Sequence, residues 1–147
     1  MVWLTAEVVG ILMRWAHIAS SAVLIGGLIY ARLVVAPVLA ESSPEERAEA
    51  LDGLGKRFRP LVYAAIAGLV VSGFYNFLMH RGHTPYYHAW FGVKVLLALH
   101  VFAASVLAVR AARAPGEEEA RRLRRMTGAI LSGMVVILIA AYLRLIY

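Results

Sequence analysis

Two of the five histidines in this chain, His17 and His100, fall inside long apolar runs, where a titratable side chain is costly. A charge near the middle of a membrane-crossing helix costs at least about 2.5 kcal/mol, so such residues are expected to face the protein interior or reach for a surface. His17 sits in LMRWAHIASSAVLIGGLIYARLVVAP, residues 12–37. A helical rotation of about 100° per residue puts Arg14, His17, Ser21 and Arg32 on one side and leaves Ile, Val, Leu and Ala opposite. His100 lies in the run that opens WFGVKVLLALH at Trp90. Each histidine is about ten residues into its run, so both are expected about 15 Å along their helices. The sequences that follow, IASSAVL after His17 and VFAASVL after His100, echo one another. Neutral imidazoles on facing helices ligate a b-type haem from both sides, and His17 and His100 are the candidate axial pair. Gly26, Gly27, Gly68, Gly73, Ala103 and Ala104 are the residues expected to make room for a flat ring. Arg14, one turn from His17, and Lys94, early in the third run, are the cations expected to meet the propionates. With Arg32, they can also hold the carboxylates of a substrate.

A second constellation lies between the second and third runs. Met79, His80, His83 and His88 carry thioether and imidazole groups, which suit copper. Their spacing follows no strict motif, and the segment HRGHTPYYH (80–88) also reads as a solvated turn whose charge responds to pH. Ser72, Asn76 and His80 recur every four residues and form one polar stripe, so His80 is equally a candidate haem ligand or proton-relay group. Either buried histidine, taken alone, also reads as a core imidazole bonded to Ser, Asn or a backbone carbonyl.

The elements that must position these groups follow from hydropathy. The 147-residue chain is 61% hydrophobic, too apolar for a water-soluble domain of this length. Its four apolar runs, residues 8–39, 58–79, 90–109 and 127–146, each approach or exceed the roughly 20 residues that cross about 30 Å of hydrocarbon. They are continuous rather than alternating, which excludes a barrel. The expected fold is all-α: one domain over residues 1–147, an integral membrane bundle of four transmembrane helices. A short surface helix is expected after Ser42/Ser43-Pro44-Glu45-Glu46, a capping serine followed by proline and acids, to about Leu54.

The segments after the first and third runs hold most of the Lys and Arg, while the segment between the second and third holds only Arg81. The positive-inside rule places the former in the cytoplasm and both termini outside, in a plasma or inner membrane. The formal net charge of +6 is accounted for by this topology and by anionic lipid, not by nucleic acid. MVWLTAEVV has no basic region and carries Glu7, so the first helix is expected to be retained rather than cleaved. With no cysteine in the chain, thiolate metal sites and iron–sulfur clusters are excluded. Nucleophile triads, phosphate loops and intramembrane carboxylate pairs are likewise missing from the sequence.

Trp15, His17, Gly26, Gly27 and Arg32 in the first run resemble the HemJ family and the related copper-resistance D (CopD) family. So do RFRP through SGFYNFL (57–78), the short connection after it, and Trp90 through His100. The resemblance spans nearly the whole chain on sparse motifs. It implies a membrane bundle that binds b-type haem and oxidises protoporphyrinogen, in the HemJ case. The HemJ helix 1 histidine and helix 3 lysine fall on His17 and Lys94. A CopD-like protein would instead handle copper, without being an enzyme; TPYYHAWFGVK is closer to that family, while the length fits HemJ. The expected function is therefore a haem-dependent redox protein, with a tetrapyrrole substrate and quinone as partners. The alternatives are copper handling by Met79, His80, His83 and His88, or a structural subunit of a larger membrane complex. A homodimer is a further expected association.

Overall fold

A computed structural model describes residues 2–79, 84–110 and 117–146, with side chains over 5–79, 84–110 and 119–145. Among these residues the regular elements are all helical: α1 (Val2–Tyr30), a π turn (Ala31–Val35), α2 (Ala36–Leu39), α3 (Pro44–Met79), α4 (Pro85–Ala108) and α5 (Glu117–Ile146). Four segments are long and apolar enough to cross a membrane: Thr5–Leu39, Pro44–Met79, Pro85–Ala108 and Glu119–Leu145. The chain is thus an all-α, multi-pass membrane bundle. In lipid every backbone N–H and C=O must be satisfied internally, and uninterrupted helices do this.

The helices outrun their apolar cores, and local chemistry shows why. The expected surface helix and second transmembrane helix are one element: α3 has 36 residues, about 54 Å at 1.5 Å per residue. Its start is a reciprocal capping box. The Glu46 N–H donates to Ser43 Oγ (3.3 Å), and the Ser43 N–H donates to Glu46 Oε2 (3.1 Å). The helix then runs through Pro60, which removes one backbone donor without ending it. α4 begins at Pro85 rather than Trp90, because the Thr84 hydroxyl accepts the Tyr87 N–H at 3.2 Å and proline occupies the first turn. α5 begins at Glu117 rather than at Thr127, its first residues acidic, as the helix dipole favours.

α1 packs closely on α3 and α4 on α5; the two pairs meet more thinly, through α1 with α5 and α3 with α4. The half where α3 and α5 begin, the lower half below, holds the close-packed core. There Leu28, Ala31, Ala104, Ala108, Met126 and Ala129 form one cluster, and a second, of Leu24, Ile25, Val62, Ala65, Val101 and Val109, reaches up to the floor of the upper half. The ring of Phe58 occupies the space a Cβ on Gly27 would need. Polar ties close the lower end: Arg47 pairs with Glu119 at 3.4 Å, and Arg59 Nη2 donates to the Val109 carbonyl at 3.2 Å. The buried Arg122 guanidinium lies over Gly55, where a Cβ would stand 2.6 Å from Nη2.

Candidate functional site

The upper half, where α1 and α4 begin, is built around His17. The imidazole is half-buried, and its Nδ1 lies 2.9 Å from Oγ of Ser72 on α3. Ser72 is fully buried, and its hydroxyl donates to the Gly68 carbonyl at 2.5 Å. A hydroxyl has one proton to give, so Ser72 Oγ accepts from Nδ1–H of the imidazole. That hydrogen-bond network assigns the tautomer and leaves the lone pair on Nε2, the atom a metal would take. Gly73 allows the close approach of α1 to α3 here: a Cβ at this position would stand 3.3 Å from His17 Cε1.

Two cavities meet at this histidine. One, about 470 Å³, is walled by all four spans: His17 and Leu24 from α1, Leu69 and Gly73 from α3, Phe91 and Lys94 from α4, and Gly133 and Val136 from α5. Its lining is overwhelmingly aliphatic and aromatic. The other, about 450 Å³, is lined by Arg14, Asn76, Tyr87 and Arg144, again with His17 and Lys94. Gly73, Phe77 and Phe91 line both, so the two spaces adjoin. Phe77 and Phe91 stack between them, ring centroids 4.5 Å apart, and Tyr87 stacks on Phe91 at 6.0 Å. The result is an apolar slot with a cationic mouth, in the size range of small-molecule sites.

The expected site residues divide. His17, Lys94 and Arg14 are brought together; His100 is not. It is exposed on α4, its Nε2 3.5 Å from where a Cβ on Gly128 would lie, and it lines neither cavity. The position of α4 that shares His17's depth is Lys94, six residues and about 9 Å nearer the start of the helix. Arg32 lies in the π turn and its Nε donates to Thr127 Oγ1 at 3.2 Å, away from both cavities. Of the small residues expected to make room, Gly73 alone lines the slot; the space beside Gly27 is filled by Phe58 and that beside Gly68 by Ser20, while Ala104 is in the lower core.

Of the copper candidates, His80 and His83 lie outside the described residues. Met79 is exposed at the end of α3, and His88 is in the first turn of α4 beside the Tyr87 ring. Among the described residues no three His, Cys, Asp or Glu side chains gather as a metal site.

Sequence reasoning missed Arg144 as a member of the site. It stands at the end of the otherwise apolar last run, where snorkelling accounts for an arginine without further meaning. The Ser72 contact had a signal: the Ser72–Asn76 stripe names the face of α3 that meets His17 and the mouth. No family model, curated protein or solved structure matches this chain.

Proposed function

We propose that this chain is a HemJ-like membrane redox protein that holds b-type haem in the slot beside His17. The observation that carries the reading is the conjunction at one point of an imidazole with its lone pair on Nε2, an apolar slot walled by four helices, and cations at its mouth. The residues present fit such a group. His17 ligates through Nε2, and Ser72 fixes the ring and its tautomer. Arg14 and Lys94 meet the propionates by charge-assisted bonds, and the aliphatic and aromatic lining keeps water from the macrocycle. When bound, haem supplies one-electron chemistry that no side chain here can perform.

The bond from His17 to Ser72 is also what a purely structural histidine would make. The adjoining cavities favour the functional reading, because a membrane protein would otherwise fill this space with side chains. Within the resemblance to HemJ, the activity that suits an apolar slot with a cationic mouth is oxidation of a tetrapyrrole that carries carboxylates, with the electrons passed on to a quinone in the bilayer. The lower end, rich in Arg and Lys, then faces the cytoplasm of a plasma or inner membrane, and both termini and the cationic mouth face outward.

Absorption spectra of the detergent-purified protein, air-oxidised and then dithionite-reduced, test the reading when metal analysis is run on the same sample. A Soret band that moves on reduction, with stoichiometric iron, is the expected result. A colourless protein from cells supplied with haem overturns it, and bound copper in that sample would transfer the argument to Met79, His80, His83 and His88.

A further inference from the structure

His100 is costly where it stands if the bundle is alone in lipid. It lies ten residues into the apolar run 90–109 and nine from its end, so about 15 Å and about 14 Å of helix separate it from the two surfaces. An imidazole is too short to reach either. Its ring is exposed on the outside of the bundle, against Gly128 of α5, and it makes no hydrogen bond with another described residue. A polar side chain at this depth needs a protein interior or a polar partner, because hydrocarbon offers it neither donor nor acceptor. The helix that carries it is shaped for a partner. Ala89, Val93, Leu96, His100, Ala103 and Leu107 are all exposed. They recur at alternating steps of four and three, the heptad seam along which parallel helices pack. Every helix of a membrane bundle shows lipid an apolar face; this one has an imidazole near its middle. Small residues keep the face low: Ala89, Ala103 and, beside the seam, Gly92, where a Cβ would meet nothing within 4 Å.

We infer that the chain forms a two-fold homodimer through α4, with His100 hydrogen-bonded across the axis to the partner subunit's His100. The occupant of the seam follows from depth and symmetry. All copies of a membrane protein share one orientation, so a two-fold axis that relates two of them runs along the bilayer normal, and α4 meets its counterpart in parallel. Residues on the seam then face their own equivalents, and His100 finds an imidazole at its own depth with no further coincidence. A different protein would need both a polar group at that height and a complementary face. A neutral imidazole has one N–H donor and one acceptor nitrogen, so two of them satisfy one bond between them. A single polar residue on an otherwise apolar seam also sets register and the number of helices, because a slipped packing leaves it unpaired. None of the six seam residues lines either cavity. The interface therefore leaves the slot of each copy intact, and the inference does not depend on what that slot holds.

The chain has no cysteine, so single cysteines report contact between copies without background. In phosphatidylcholine vesicles treated with copper phenanthroline, Leu96→Cys and Ala103→Cys are expected to give a covalent dimer. Ala98→Cys and Val101→Cys, on the opposite side of α4, are not, and neither is Val71→Cys on the exposed face of α3. The equilibrium is read by energy transfer between donor-labelled and acceptor-labelled copies as the vesicles are diluted with lipid. His100→Leu weakens dimerisation about three- to thirtyfold, the range for one hydrogen bond between membrane helices. His100→Asn, again both donor and acceptor, recovers much of the loss. Should His100→Leu fail to fold, the cross-linking pattern with His100 in place still decides. A protein that stays monomeric at every dilution overturns the inference, as does cross-linking at Val71 or Ala98 equal to that at Leu96. A His100→Leu variant that dimerises as tightly as the parent overturns it too. So does a different protein, co-purified in equal amount, that takes the cross-links at Leu96 and Ala103.

Discussion

Where α3 and α5 begin, the bundle is filled: Ala104, Ala108 and Ala129 let the helices close on Leu28 and Met126, and little space is left between them. Where α1 and α4 begin, the same four helices enclose two adjoining cavities, with His17, Lys94, Arg14 and Arg144 facing them. The two halves differ in what their side chains do. Alanine and aliphatic side chains in the lower half are buried against one another. In the upper half, aromatic rings and cations line space instead of filling it. The lower half accounts for why the bundle holds together, and the upper half for what it can hold.

Substitutions that treat the halves alike should therefore give unlike results. The largest effect is expected at His17: alanine there removes the haem band altogether, read in the purified protein. Ser72→Ala comes next. It deletes the acceptor that fixes the ring, and loss of such a supporting bond lowers metal-site affinity about 10–100-fold, measured by haem titration of the apoprotein. In the filled half, Ala129→Leu forces extra methylenes into a position with no exposure. It should destabilise by about 1–3 kcal/mol, seen as a lower midpoint of thermal unfolding in detergent. The same change at Ala98, which lines the slot, fills empty space. It should raise stability by about 0.5–2 kcal/mol while reducing haem occupancy, and a fall in stability there would show that the slot is closed in the working protein. Smallest is Glu119→Gln, which breaks the part-exposed pair with Arg47; pairs of this kind are worth about 0–1 kcal/mol, and haem binding should not respond.

The four crossings were legible because hydropathy and length act on whole segments, and packing cannot override them. Helix ends were less legible. Glu45–Leu54 and the stretch after Glu117 are not apolar, yet capping and helix-forming residues carry α3 and α5 beyond the hydrocarbon limit. The π turn at Ala31–Val35 has no marker in the sequence, and it is where Arg32 departs from the face shared by Arg14 and His17. The pairing of His17 with His100 was a matter of register: counting from the start of each apolar run gave them one depth, but packing sets Lys94 there. One check was available in the sequence itself. Lys94 and His100 are six residues apart, about 120° around the helix, so the two do not serve one site from one face. Arg144 was illegible because a terminal arginine has an ordinary explanation, and only the arrival of α1 and α4 beside it gives it another.

The difference between the halves reduces to one pair of residues. His17 lines the hollow upper half, and His100 stands outside it against Gly128. Reduced-minus-oxidised absorption spectra of His17→Ala and His100→Ala, purified side by side with haem supplied during expression, test the account most directly. It predicts that His17→Ala has no haem difference spectrum and that His100→Ala keeps one of parental size. A full difference spectrum in His17→Ala would contradict the account.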